Sequence, residues 1–361
     1  LILFVDDLQW TDTASLKLLQ QLVTSLKNQT LFVIGAYRDN EVWDAHPLMV
    51  TLADIQKGGG IVKTITLAPL DLPTVNQIVA DAVHTSVEKA QSLTHLVYAK
   101  TQGNPFFFSE FLKSLSDEGL LTFDVRLGTW QWDLAQIERQ DFTDNVVDLM
   151  TNKVQRLPAT TQQVLKLAAC IGNQFDLQTL AIVHQKSLQE TASDLWQGLF
   201  EGLVLPLDED YKVFNVDLQG LGDLEGVTAN YKFAHDRVQQ AVYLLIPEDH
   251  KQKVHLEVGQ LLLKDATRKN QREQRIFDIV RQLNEGQKLL TQPPELEELA
   301  ELNLLAGKKA KASAAFKPAY LYLQTGVNLL GPAGWQRRYD QALELHEEAA
   351  ETAYLSGDFD T

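Results

Sequence analysis

The chain of 361 residues contains a single cysteine, Cys170, so no disulfide can form within it. Its neighbours Leu167, Ala168, Ala169 and Ile171 mark it as a small buried residue rather than a reactive thiol, and one lone cysteine suits a reducing, cytoplasmic compartment. Positive charge is scarce as well: 32 Lys and Arg stand against 48 Asp and Glu, a net charge of −16. That balance argues against a nucleic-acid surface, which needs clustered cations for phosphate. No apolar run approaches the roughly 18 residues that would read as a membrane span, and no signal peptide is visible. Also missing is any Gly-x-x-x-x-Gly-Lys-[Ser/Thr] string, so the backbone cradle for phosphates is absent from these residues. The cluster Gly58-Gly59-Gly60 has no lysine behind it and runs into strand-like residues 61–65, which makes it a loop.

What is present begins at the first residue. Leu1-Ile2-Leu3-Phe4-Val5 reads as a strand buried on both faces of a parallel sheet, and Asp6 and Asp7 follow at its carboxyl end. Ligands of open α/β sheets sit outside that end, where paired carboxylates can hold Mg²⁺ and orient a water. Acid pairs also close ordinary strands as turn residues, so on these residues alone both uses stay open. Asp12 is placed to cap a helix over residues 13–27, with an apolar stripe of Leu16, Leu18, Leu19, Leu22, Val23 and Leu26. A second buried run, residues 31–36, ends in Tyr37-Arg38-Asp39-Asn40-Glu41 and brings an arginine to the same edge.

Strand, acid pair, aromatic and capped helix follow the order of a Walker B element. Residues 1–41 resemble the Walker B and sensor 1 halves of a STAND-type AAA ATPase of the Orc1-like group. The resemblance implies that Asp6 holds magnesium, Asp7 activates water and Arg38 senses the γ-phosphate, with ATP and Mg²⁺ as cofactors. Because the chain opens inside a strand, the phosphate-binding loop is expected upstream of Leu1.

Residues 64–70 read as the last strand of the nucleotide-binding sheet, after which the pattern turns helical. Asp71 caps a helix reaching Val83, with Pro73 in its first turn, and a second helix covers residues 87–100. The string Gln102-Gly103-Asn104-Pro105-Phe106-Phe107-Phe108 closely matches the Gly-Asn-Pro-Phe element of STAND lids, which implies that Pro105 meets the adenine with Asn104 beside it. Without the family, the same string is a helix stop and a helix start, with Phe106, Phe107 and Phe111 as core. Residues 121–125 and 129–134 form a hairpin around Arg126-Leu127-Gly128, in which Trp130 and Trp132 serve sheet packing or a ligand platform. A connecting helix follows over residues 145–156.

At Leu157-Pro158 a third unit opens, with Thr160 and Gln163 as a capping box and Val164, Leu165, Leu167, Ala168 and Ile171 as its buried stripe. Helices over 177–184 and 188–201, then strands at 203–207 and 231–234 around an acidic, glycine-containing excursion, make a winged helix with a two-stranded wing. The helix over 188–201 carries no Lys or Arg, which argues against base readout; in STAND proteins such a domain packs on the nucleotide module. In Phe233-Ala234-His235-Asp236-Arg237, a catalytic His-Asp pair lacks any serine, cysteine or third ligand nearby. The mechanical reading has Asp236 capping the next helix, Gln239 closing the box and His235 settling the wing. This string resembles the region after the ATPase module in large hybrid Ser/Thr kinase and sensor histidine kinases.

From Pro247 the pattern is helical: residues 250–263, 275–290, 296–315, 316–330 and 335–354, with a joint at Pro293-Pro294. Small residues from Ala300 to Ala315 suit close helix approach, and an echo of Ala315-Phe316-Lys317-Pro318-Ala319 in Asp358-Phe359-Asp360-Thr361 suggests a repeat somewhat above ~40 residues. Lys308, Lys309 and Lys311 read as a solvated face. These helices sit where the hybrid kinases carry TPR-like arrays.

The expected fold is therefore multidomain, α/β then mostly α: part of a P-loop NTPase sheet (residues 1–70), a helical lid with hairpin (71–156), a winged helix (157–246) and a TPR-like repeat array (247–361). The implied function is an ATP-dependent signalling switch in a sensor kinase, with protein partners on the repeats, no nucleic acid and no membrane. Without the phosphate loop this stretch is not expected to be active alone. A nucleotide-independent scaffold remains open, as does a STAND transcription regulator with a basic helix-turn-helix beyond Thr361.

Overall fold

The structure, a computed structural model, describes residues 1–25, 31–42, 46–140, 142–143, 145–209, 211, 229–313 and 315–356. The chain forms two compact units, one of residues 1–66 and 291–361, the other of residues 67–290.

In the first unit, β1 (Ile2–Val5) and β2 (Phe32–Gly35) pair in parallel, Ile2 opposite Phe32 and Val5 opposite Gly35. The connection runs through α1 (Thr13–Thr24), and α2 (Pro47–Lys57) follows β2. As its sequence position predicts, Asp12 holds the start of α1: its carboxylate accepts from the Ser15 backbone N–H at 3.0 Å and the Ser15 hydroxyl at 2.7 Å. The expected end of this helix at residues 26–27 lies outside the described residues. Leu8, Leu16 and Leu48 form a buried core joined by Val5, Leu19 and Leu52, which seats both helices against the end of β1.

Only one face of the strands is covered. Ile2, Phe4, Phe32 and Ile34 alternate onto the other face and are 71%, 60%, 62% and 42% exposed, so the expectation of burial on both faces is corrected. The expected strand over residues 64–70 is corrected too. No strand forms there, and Ile65 and Leu67 are 84% and 90% exposed. Alternation becomes a strand only where a neighbour supplies the hydrogen-bond ladder, and among the described residues none does.

The second unit begins with α3 (Leu72–Ala82), α4 (Val87–Thr101) and α5 (Pro105–Asp117). The predicted cap is in place: the Asp71 carboxylate accepts from the Thr74 N–H at 2.9 Å, with Pro73 in the first turn. The hairpin of β3 (Leu121–Asp124) and β4 (Thr129–Trp132) follows, Leu121 opposite Trp132. Trp130 packs edge-on against Phe123 at 5.6 Å, and Lys89 lies over Trp132 at 6.0 Å, so both tryptophans are engaged in packing. Next come α6 (Leu134–Arg139), a short helix that sequence reading missed, and α7 (Val146–Gln155).

Then come α8 (Ala159–Ile171), β5 (Gln174–Asp176), α9 (Leu177–His184), α10 (Leu188–Phe200), β6 (Val204–Pro206) and β7 (Asn230–Phe233). The sheet is antiparallel with order β5-β7-β6, three strands where two were expected. The additional strand is the three-residue β5, which pairs Phe175 with Tyr231 and stacks their rings 5.8 Å apart. Most of the acidic excursion before β7 lies outside the described residues. The capping box at Thr160 and Gln163 is not formed. Pro158 occupies the cap position with no side-chain bond, which places Thr160 inside the first turn of α8.

Completing this unit are α11 (Asp236–Leu244), α12 (Glu248–Arg268) and α13 (Ile276–Gly286). A buried polar relay braces them to α8: the Tyr243 hydroxyl meets His255 Nε2 at 2.9 Å, His255 Nδ1 meets Gln282 Oε1 at 2.6 Å, and Gln282 Nε2 donates to the Cys170 carbonyl at 2.8 Å. Such a chain stabilises only when each member is satisfied, because an unpaired buried polar group costs about 1–3 kcal/mol.

The carboxy-terminal helices are α14 (Pro293–Ala312), α15 (Phe316–Leu330), α16 (Gly334–Arg337) and α17 (Tyr339–Ser356). Ala300, Leu304, Leu323, Leu330, Ala342 and Leu345 form their shared core. Gly307 and Gly326 are seats for leucines: a Cβ on the first would lie 2.5 Å from Leu323 Cγ and on the second 2.6 Å from Leu345 Cδ2. The basic run of α14 is not simply a solvated face. Lys308 pairs with Glu344, and Lys311 reaches Glu348 and Glu351 at 2.7 and 2.8 Å. The echo at residues 358–361 lies outside the described residues. Among the described residues, no helix is long and apolar enough to cross a membrane.

Candidate functional site

The parallel pairing of β1 with β2 sends both strand ends to one edge, and this is what brings Asp6, Asp7 and Arg38 together. After β1 the chain turns sharply. Asp7 takes a left-handed backbone conformation, φ 53° and ψ 41°, and opens a 3-10 turn over Leu8–Trp10. A residue other than glycine in that region is uncommon and merits attention at a strand end. The turn is anchored across the sheet by the Leu8 N–H, which donates to the Ala36 carbonyl at 2.9 Å.

Within this frame Asp6 Oδ1 accepts from the Asp7 N–H at 3.0 Å, and the Asp6 side chain faces solvent. Arg38 Nε stands 4.0 Å from Asp7 Oδ1, while Arg38 Nη1 donates to Glu41 Oε1 at 3.2 Å. The guanidinium is therefore held between two carboxylates, about one third exposed. Gln9, which sequence reading passed over, joins the two strands. Its Nε2 donates to Asp7 Oδ1 at 3.0 Å and its Oε1 accepts from the Arg38 N–H at 3.3 Å. A polar residue directly behind an acid pair and flanked by Leu8 and Trp10 was the available signal.

Exposed carboxylate oxygen at a strand end fits a hard divalent ion such as Mg²⁺, which binds through one or two carboxylates and keeps several waters. No group of three or more His, Cys, Asp or Glu side chains able to hold a metal occurs among the described residues, which such a water-rich ion does not require. Asp6 and Asp7 thus offer carboxylate oxygen of the kind such an ion takes.

Asn104 and Pro105 lie in the other unit. Asn104 is the N-cap of α5, its Oδ1 accepting from the Phe107 N–H at 2.9 Å, and Pro105 fills the first helical position. Both side chains are exposed, while Phe107, Phe108 and Phe111 are buried beneath them. Gly103 supplies the turn, with φ +74° and its carbonyl accepting from the Leu70 N–H at 2.9 Å. Phe106, expected in the core, is half-buried and stacks on His235, ring centroids 4.2 Å apart and planes 13° from parallel. His235, rather than Asp236, is the N-cap of α11: its Nδ1 accepts from the Arg237 N–H at 3.1 Å. Gln239 closes no box and donates instead to the Ala169 carbonyl at 3.0 Å. The His-Asp string is thereby accounted for as a cap and a ring contact.

No protein-family model matches the chain. It is 30% identical over 368 aligned residues to hybrid signal transduction histidine kinase G of Dictyostelium discoideum, a match that takes in 91% of this chain and 10% of that protein. The chain spans about a tenth of that protein's length. A crystal structure of a STAND (signal transduction ATPase with numerous domains) protein with a tetratricopeptide repeat sensor from Pyrococcus horikoshii aligns with 99% of this chain and 50% of its own. Identity there is 15% and the TM-score 0.40, below the level of a shared fold.

Proposed function

We propose that this chain is the stretch of a STAND-type signalling ATPase that runs from its Walker B strand to the start of its repeat array, working inside a cytoplasmic multidomain sensor kinase. The observation that carries the reading is the meeting of Asp7 and Arg38, 4.0 Å apart, at the carboxyl edge of two adjacent parallel strands. Arginine and carboxylate at that edge are the two polar functions that a phosphoanhydride hydrolysis asks of a protein, one to balance charge and one to orient a water.

In this reading Asp6 would hold the magnesium of MgATP, which supplies Lewis-acid neutralisation of the phosphates when bound. Asp7 accepts a proton from water, and Arg38, kept from swinging away by Glu41, carries the positive charge towards the terminal phosphate. Asn104 fixes the first turn of α5 so that Pro105 presents a flat apolar ring suited to a purine face. Helices α3 to α7 serve as the lid. Helices α8 to α10 with the β5-β7-β6 sheet serve as a winged helix, whose sheet topology is compatible with that assignment. Helices α12 to α17 begin the repeat array that receives protein partners. The absence of Lys and Arg from α10 supports a protein-facing winged helix over a DNA-binding one.

The test is Asp7→Asn in the full-length protein. Turnover is expected to fall by about 100-fold or more, in the range usual for loss of a general base, with nucleotide binding retained. Turnover within about twofold of the parent would remove Asp7 from this role, and a full-length parent that does not hydrolyse ATP would remove the ATPase reading.

A further inference from the structure

We propose that Gln9 is the positioning residue of this site, the group that sets the direction of the Asp7 carboxylate. The inference rests on the reading of Asp7 as the water-activating acid. Gln9 is only 6% exposed, and burying an amide is unfavourable unless both of its ends are bonded. Both ends are. The Arg38 N–H is a donor and can meet only Gln9 Oε1, so the amide nitrogen must face Asp7, and Asp7 must receive that bond as an acceptor.

The result is a directional lock. One oxygen of Asp7, Oδ1, is held by Gln9 at 3.0 Å with Arg38 Nε at 4.0 Å, while Oδ2 has no protein partner among the described residues. That is the oxygen left to meet a water. Arg38 alone does not fix the geometry, since its guanidinium is farther from Asp7 and is bonded to Glu41. Gln9, by contrast, is pinned from the segment after β2 through the backbone N–H of Arg38, which no side-chain rotation can withdraw. The same amide also ties the two strand ends, so a displacement at Arg38 is felt by the Asp7 carboxylate.

Steady-state ATP hydrolysis by the full-length protein, measured across pH, tests this with Gln9→Glu, Gln9→Leu and Asp7→Asn. Gln9→Glu keeps the size of the side chain and the acceptor for Arg38 but sets a second carboxylate within hydrogen-bond reach of Asp7. Like charges that close raise the pKa of one of the pair, so the acidic limb of the kcat profile should move up by about 1 pH unit or more. Gln9→Leu should lower kcat about tenfold or more with KM little changed, as expected when a reacting group is misdirected while substrate affinity is kept. If Asp7→Asn abolishes turnover while Gln9→Glu keeps the parent's kcat and pH profile, Gln9 does not position Asp7, although the ATPase reading survives. If Asp7→Asn leaves turnover intact, Asp7 is not the water-activating acid and the role of Gln9 falls with it, whereas a parent without ATP turnover would overturn the ATPase reading itself. Should Gln9→Leu fail to fold, Gln9→Glu carries the decision.

Discussion

Replacing Gly103 by alanine tests whether the turn before Asn104-Pro105 is fixed by backbone contact or only by local preference. Gly103 has φ +74°, and a Cβ built on it would overlap the Leu70 carbonyl oxygen, with the Leu70 carbonyl carbon and nitrogen each 3.1 Å away. Those are backbone atoms, so no side-chain rotation relieves the clash. Gly119 provides the control: φ is +70°, yet nothing lies within 4 Å of its built Cβ. Alanine at either position meets the left-handed strain, about 1–2 kcal/mol. Only at Gly103 must residues 70 and 103 also separate, breaking the 2.9 Å bond from Leu70 N–H to Gly103 O, for about 1 kcal/mol more before packing is disturbed. Gly103→Ala should therefore destabilise the second unit by about 2–3 kcal/mol and Gly119→Ala by about 1–2 kcal/mol, a difference of about 1 kcal/mol before any packing loss. Urea unfolding, followed by tryptophan fluorescence and compared at equal m-value, reads the difference. Equal midpoints for the two variants would refute the argument, since they would mean that residues 70 and 103 do not touch.

Three further outcomes follow from the same unit. A double-mutant cycle of Phe106→Ala and His235→Ala, read by unfolding free energy, should return a coupling of about 0.5–1.5 kcal/mol for the stacked rings; additive effects would mean the rings do not meet. Burial pushes the Cys170 thiol up to about 12 against the pull of nearby Lys251, and burial, with Asp208 and Tyr211 adding to it, raises the Tyr231 hydroxyl to about 12. Both groups hold their proton more tightly when folded, so the stability they contribute is complete below their ordinary values, 9.0 and 10.0, and is lost as pH climbs towards about 12. Unfolding titrations from about pH 8 to about pH 11.5 should show stability falling steadily, and a thiol reagent at about pH 8 should modify Cys170 only on unfolding; rapid labelling of the native chain would contradict its burial.

Where local chemistry decides the structure, the sequence was readable. Asp12 and Asp71 cap the helices they were expected to begin, because an acceptor side chain next to unpaired N–H groups acts within one turn. The approach of Asp7 and Arg38 at one sheet edge was also readable, since two apolar runs joined by one amphipathic helix align their ends in a parallel pair. The misses share a cause, which is dependence on distant neighbours. Residues 64–70 alternate like a strand but find no ladder, whereas β5, only three residues long, becomes a strand because β7 lies beside it. The α11 cap slipped by one residue because an imidazole nitrogen served where a carboxylate was expected. Gln9 was missed for the same reason as the lysines of α14. Its partner Arg38 is 29 positions away, as Glu344 is 36 from Lys308, and no spacing rule spans such distances.

The glycine seats of α14 and α15 carry a mechanical corollary. With Leu323 lodged over Gly307 and Leu345 over Gly326, sliding one helix by a residue would drive a leucine into a neighbouring Cβ, and the acid ladder of α17 would lose step with Lys308 and Lys311 at the same moment. Apolar interlock and charge pairing thus forbid the same movement. Register in this stack is fixed twice over, by shape and by charge.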